Sequence, residues 1–331
     1  MLTGIISWHI VSGYMDKDIF SPLGIRATGI TGKIFVVQGN NRGRSPFSNS
    51  VCVLDRTRLL MDTGCGHDII ASLRDSAGIQ RVVLSHSHPD HTAGTWQFRS
   101  CPGTEVAVPR EGAQSISSAD RLALRFVGPE LAGLWKDTYL QATGFRDFTF
   151  ASRFENGTEF SLGENRFIAL HAPGHLTDHY CLWEPDRKIL VGFDIDMSPF
   201  GPWYGNPESD IALFGKSLAM IRALPVETYV SSHARPMKGP HFQKRLSLYE
   251  AVFERRDRLV LGALPPDRPV HLDEVVDRSP IYAVDYTTHP DKLLRFGESQ
   301  MVAKHLLRLA SRGLVEAESR EGSFPMVRKA R

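Results

Sequence analysis

The segment His86-Ser87-His88-Pro89-Asp90-His91 places four metal-ligand side chains within six residues, directly after the apolar run from Arg81 to Ser85. That run reads as a buried strand, so the ligands emerge where a strand ends, the usual place for a site in an α/β sheet. His86 and His88, two residues apart in an extended turn, can aim both imidazoles at one cation. Asp90 and His91 continue round the turn toward a second cation a few ångströms away. A lone histidine is most often structural and an HxH pair alone is weak. Four ligand types in six residues behind such a strand form a far more specific signal.

Outward from this segment, β-rich runs alternate with helical ones, as an α/β chain requires. Ser50 to Leu54 and Leu59 to Met61 read as strands, and Asp68 reads as the cap of a helix that Gly78 ends. Asp210 caps a further helix to Leu224, and Glu227 to Ser231 reads as another buried strand. The stretches Gln38 to Ser50 and Met197 to Ser209 are long, irregular and rich in Gly, Pro, Asn and aromatics, as loops over a site are. Beyond His241, apolar residues recur at helical spacing, Pro265 and Pro266 mark a break, and Glu298 to Arg312 reads as a helix stopped by Gly313. Strands over Leu314 to Glu318 and Pro325 to Arg328, joined by a turn at Arg320 to Ser323, complete a winged-helix-like order. A helical cap packed on the main domain is the alternative.

The composition fits a folded chain of 331 residues in one large or two unequal domains: 42% hydrophobic and 23% charged, with no apolar stretch long enough to span a membrane. Lys+Arg of 39 against Asp+Glu of 37 leaves +2, so no overall field marks nucleic acid or an acidic membrane as the partner. From His241 onward there are 16 basic and 13 acidic residues, a weak basic balance for gripping phosphates. Four cysteines without a CxxC pair, and an opening from Met1 to Asp16 without a secretory pattern, point to a cytoplasmic protein.

The ordered motifs resemble the metallo-β-lactamase fold superfamily over about residues 20 to 240. Its HxHxDH motif is matched in full by His86, His88, Asp90 and His91. Asp62 in Leu60-Met61-Asp62-Thr63-Gly64, His175 in Ala172-Pro173-Gly174-His175, Asp194 in Leu190-Val191-Gly192-Phe193-Asp194, and His233 in Ser231-Ser232-His233 follow in order. The resemblance implies an αββα four-layer sandwich over residues 1–240 and a small helical, winged-helix-like domain over 241–331. Carried over residue by residue, site one is His86, His88 and His175, and site two is Asp90, His91 and His233, with Asp194 bridging. Phe193 stands where the family has glycine. Asp196, on the same strand face, is the alternative bridge or a supporting carboxylate.

Two divalent metal ions follow, zinc first for a set of imidazoles and few carboxylates, with iron or manganese next. Two cations sharing a water bring its pKa near neutrality, and Asp90 is placed to orient the resulting hydroxide. The implied activity is a dinuclear hydrolase whose bridging hydroxide attacks an ester, thioester or lactone carbonyl. A nuclease or phosphodiesterase at the same centre is the alternative. A persulfide dioxygenase-like oxidase resembles relatives without a complete second site, so Asp90, His91 and His233 count against it. His179 resembles the family's supporting histidine, His171 reads as structural, and His67 reads as a supporting residue near Asp62. Trp203 and Tyr204 are placed as cleft walls, Tyr204 also as a donor to an oxyanion. Arg42, Arg44 and Arg235 fall in loops beside the metals. The expected partner is a small molecule, with a homodimer open.

Overall fold

Apolar strands buried on both faces cannot stop at one layer. In the computed structural model, which describes residues 19–318 and 326–330, they build two sheets. β1 (Ala27–Gly29), β2 (Ile34–Val37), β3 (Ser50–Leu54), β4 (Arg58–Met61), β5 (Arg81–Val83), β6 (Glu105–Pro109) and β7 (Ser152–Phe154) pair in that order. The pairing is antiparallel to β4 and parallel from β4 onward. The second sheet runs β13 (Met237–Lys238), β12 (Thr228–Ser231), β11 (Ile189–Phe193), β10 (Tyr180–Glu184), β9 (Arg166–His171) and β8 (Glu159–Ser161).

Alternation along β5 shows how the layers form. Val83 turns into the core between the sheets, with Met61, Phe167 and Val191. Val82 turns outward with Leu60, against Leu73 of helix α1 (His67–Ser76) and Leu122 of α2 (Ala119–Trp135). On the far side, Leu190 and Tyr229 meet Leu218 of α3 (Ile211–Ala223) and Phe242 and Leu246 of α4 (Gly239–Ala263). The result is the αββα sandwich. Asp210 caps α3 by accepting from the Leu213 amide at 2.8 Å. The cap expected at Asp68 lies two residues earlier, at Gly66, whose φ of 127° suits glycine. Asp68 instead accepts from Asn40 Nδ2 at 3.0 Å.

α4 runs through the expected division at residue 240/241 and serves two cores. Its start covers the second sheet, while Val260 and Leu264 join a separate cluster. That cluster includes Val276 of α5 (Leu272–Val276), Leu306 of α6 (Lys292–Ser311), Val315 of β14 (Val315–Glu318) and Val327 of β15 (Met326–Lys329). β14 and β15 pair antiparallel; the turn expected at Arg320 to Ser323 lies outside the described residues.

α6 begins before the expected Glu298 because Asp291 caps it, accepting from the Leu293 and Leu294 amides at 2.9 Å. Glu298 is buried, accepting from Ser279 Oγ at 2.6 Å and the Ile281 amide at 2.9 Å. Two basic side chains near the end of α6 are paired with acids of α4. Arg308 Nε lies 2.9 Å from Asp257 Oδ2, and Arg312 Nη2 lies 2.9 Å from Glu254 Oε1. No described helix is long and apolar enough to cross a membrane.

Candidate metal centre

Three strand ends position the site. β5 delivers His86, His88, Asp90 and His91; β11 delivers Asp194; β12 delivers His233; and the turn after β9 brings His175 against them. Gly64, just past β4, permits the approach: a Cβ there would lie 1.4 Å from the Asp90 carbonyl oxygen.

Two groups of inward-facing ligand atoms result, one of His86, His88, His175 and Asp194, the other of Asp90, His91 and His233. His88 Nδ1 lies 3.1 Å from His86 Nε2 and 3.0 Å from His175 Nε2. Asp194 divides its two oxygens between the groups. Oδ2 stands 3.6 Å from His86 Nε2 and 3.3 Å from His175 Nε2, while Oδ1 stands 2.8 Å from His91 Nε2 and 3.2 Å from His233 Nε2. Asp90 Oδ2 completes the second group at 3.6 Å from His233 Nε2. Ligands about 2.0 to 2.1 Å from a zinc ion stand roughly 3.3 Å apart at tetrahedral corners, so the spacing fits shared cations.

The outward nitrogens fix where each proton sits. His91 Nδ1 donates to Asp62 Oδ2 at 2.7 Å, His175 Nδ1 to the Trp203 carbonyl at 2.9 Å, and His233 Nδ1 to the Gly43 carbonyl at 2.7 Å. His86 Nδ1 donates to Ser85 Oγ at 2.9 Å, which donates in turn to Asp62 Oδ2 at 2.7 Å. His88 Nε2 meets the Asn206 side-chain amide at 2.9 Å. His86, His91, His175 and His233 thus keep their outer nitrogens protonated and turn their inner ones toward a common space that a cation would fill, whereas His88 Nε2 accepts from the Asn206 amide. Accordingly, His91 Nε2 and Asp194 Oδ1 are buried yet have no properly aligned hydrogen-bond partner.

Charge follows the same division. Burial pushes His86 well below its ordinary pKa and lowers His88, so both keep free lone pairs. Burial also opposes charge on His91 and His233, but neighbouring Asp194 outweighs it, raising His91 well above the ordinary value and His233 to about 9. Burial alone would raise Asp194; His91 and His233 instead hold it well below the usual carboxylate range.

His179 sits behind the bridge position: its Nδ1 donates to the Ala172 carbonyl at 3.1 Å and its Nε2 accepts from the Asp194 amide at 3.3 Å. Asp196 lines the cleft beside Asp194 and accepts from the Ser198 amide at 2.9 Å. His171 stays apart, on the Thr177 carbonyl at 2.7 Å. His67 bonds the Thr143 carbonyl and Gln97 and not Asp62, whose carboxylate is taken by Ser85 and His91.

A cleft of about 610 Å³ opens over the ligands, with Phe126, Trp135, Phe200, Trp203, Leu293 and Phe296 among its walls. Tyr204 is turned away from it. Its hydroxyl is buried against His305 Nε2 at 2.7 Å and Arg256 Nη1 at 3.0 Å, so it faces the C-terminal helices and has no route to an oxyanion.

Sequence reasoning missed a polar brace behind the ligand loops. Arg125 donates to Ser87 Oγ at 2.9 Å, Asp178 Oδ2 at 3.1 Å and Glu208 Oε1 at 2.6 Å, and Ser87 Oγ donates to Asp178. It ties the residue between His86 and His88 to the one preceding His179. The buried charge pairing was signalled only weakly, by Asp178 standing between Thr177 and His179.

A strand-borne ligand turn, a carboxylate shared between two histidine groups, and an open cleft above them define a metal-dependent hydrolase. The chain belongs to the metallo-beta-lactamase superfamily, whose family model matches residues 45–233. It is 25% identical over 264 residues to a lactamase-like protein of Pestalotiopsis fici, covering 75% of this chain and 67% of that one. An acyl-coenzyme A thioesterase of Bos taurus is 25% identical over 161 residues, covering 41% and 53%. An atrochrysone carboxyl ACP thioesterase of Aspergillus aculeatus is 23% identical over 323 residues, covering 93% and 87%. The chain therefore matches only about half the length of the bovine relative. A solved metallo-beta-lactamase family protein of Thermus thermophilus shares the fold, with a TM-score of 0.68 at 17% identity over 91% of this chain and 100% of that one.

Proposed function

We propose that the chain hydrolyses an acyl thioester, with esters and lactones as chemically adjacent substrates. His86, His88 and His175 would hold one divalent cation, Asp90, His91 and His233 a second, and Asp194 both. The observation that carries this reading is the division of Asp194's oxygens between two histidine groups beneath a largely apolar cleft. The donor set suits zinc first, and bound cations would activate water at neutral pH and polarise the substrate carbonyl.

The chain's own residues supply the rest. Asp90, partly exposed at the cleft floor, accepts a hydrogen bond from the attacking water and orients it. Trp203 and Phe200 seat apolar substrate and exclude bulk water, and Trp203 also fixes His175 through its carbonyl. A thiol's ordinary pKa near 8.5 lets the leaving group depart as thiolate, so no strong acid need face it.

The pairing of Arg308 and Arg312 with α4 acids weighs against the phosphodiesterase alternative. Arg44 is the one Lys or Arg lining the cleft among the described residues. Elemental analysis of protein purified without chelator, with an acyl thioester, a lactone, an aryl ester and a phosphodiester as substrates, tests the reading. Close to two metals per chain and thioester turnover are expected; full activity after exhaustive metal removal would overturn it.

The two-unit organisation belongs to the same proposal. Residues 1–240 carry the chemistry, and 241–331 form a C-terminal unit that contributes cleft wall.

A further inference from the structure

The two ends of the ligand cluster face different surroundings. At the first group, the His88 ring centroid lies 5.2 Å from Phe126 and 5.5 Å from Trp203. Leu293, Phe296 and Gly297 of α6 line the same cleft. Gly297 is close-packed: an added Cβ would meet Tyr282 Oη at 3.2 Å, and a Cβ on Gly205, packed directly against it, would meet the Gly297 Cα at 3.3 Å. This end is apolar, and its length is set by one helix.

At the second group, His233 donates to the Gly43 carbonyl, and Gly43 lies between Arg42 and Arg44. Asn41, Arg42 and Gly43 all have positive φ, at 51°, 60° and 68°. Two consecutive non-glycine residues in the left-handed region form a strained turn, held here by the histidine contact. Arg235 follows His233 by two residues, so the 2.7 Å contact brings the chain segments that carry Arg42, Arg44 and Arg235 together, and Arg44 itself lines the cleft. All three are exposed, and none has a carboxylate partner within ion-pair distance among the described residues. By contrast, Arg125, Arg308 and Arg312 are all paired. The cleft's acids, Asp90, Asp194 and Asp196, lie at the ligand cluster between the two ends.

Resting on the thioesterase reading, we propose that the substrate lies in one orientation. Its acyl chain runs past His88 toward α6, and a phosphate-bearing carrier arm is held at the rim by Arg42, Arg44 and Arg235. Guanidinium forks match phosphate oxygens, and the apolar walls favour an aliphatic chain. The reacting carbonyl then falls over the cluster between the two anchors.

The test crosses two substrate features: octanoyl against acetyl, each on coenzyme A, which carries phosphates, and on pantetheine, which carries none. Octanoyl-coenzyme A is expected to show the lowest KM, about tenfold below octanoyl-pantetheine, with the gap closing as salt screens the rim. R42Q/R44Q/R235Q should collapse the coenzyme A preference and leave the octanoyl preference. Gly297→Leu should do the reverse; Leu293→Trp provides the same test if the glycine variant folds poorly. Equal KM for the two carriers, or rim variants that change both carriers alike, would overturn the orientation while leaving thioester hydrolysis standing. No turnover of any of the four by metal-loaded protein would overturn the thioesterase reading itself and the orientation with it.

Discussion

Lys304 of α6 donates to the Asn206 backbone carbonyl at 2.8 Å, and the Asn206 side chain meets His88 Nε2. A helix outside the family-matched region thus steadies a histidine of the candidate metal centre. Burial lowers the Lys304 ammonium to about 8. Asn206→Ala should weaken metal binding about 10 to 100-fold, as loss of a ligand-orienting partner does, and Lys304→Met should weaken it less. Competition with a chromophoric chelator measures both; unchanged affinity in Asn206→Ala would remove the link.

Asp62 supports two ligands at once, His91 directly and His86 through Ser85. Asp62→Ala strands the His91 Nδ1 donor and the Ser85 amide in a buried site, so roughly 3 kcal/mol of apo-protein stability should go. Urea unfolding of chelated protein reads this separately from metal content.

For the bridge, Asp194→Ala should lower the rate by several orders of magnitude and reduce bound metal. Asp196→Ala should cost about 10 to 100-fold, since its carboxylate accepts from the Ser198 amide and lies outside both ligand groups. The opposite ranking would move the bridge to Asp196.

His171→Ala should lower stability by about 1 kcal/mol through loss of its bond to Thr177, with metal content unaltered. Loss of one metal equivalent would show that the ligand set is wrong.

Acid stability should depend on Asp55. Burial alone would raise its pKa, but the Asn165 side chain, the Arg56 and Asn165 amides and Lys33 together hold it down to about 2. Because the folded value lies below the unfolded 3.8, its contribution of about 2 kcal/mol is fully present above pH 4 and is lost as pH falls toward 2. Asp55→Asn should therefore be less stable than wild type at pH 7, with the gap narrowing in acid. Denaturant midpoints across that range check the sign.

The convergence of these side chains was legible because strand ends and short turns bring them together: His86, His88, Asp90 and His91 fall within six residues, and Asp62, His175, Asp194 and His233 each lie at or just past the end of a β-rich run. Tyr204 was misplaced because a loop aromatic carries no local mark of the side it packs on; here His305 and Arg256, far along the chain, decide it. Arg125, Glu298 and the paired Arg308 were hidden for the same reason. A buried charge is recognisable only beside its partner, and those partners come from other elements.

The cleft wall at Leu293 to Gly297 and the ligand cluster are encoded in separate stretches of the chain. A change confined to Leu293 or Phe296 would therefore reshape the space above the histidines while leaving every candidate ligand in place.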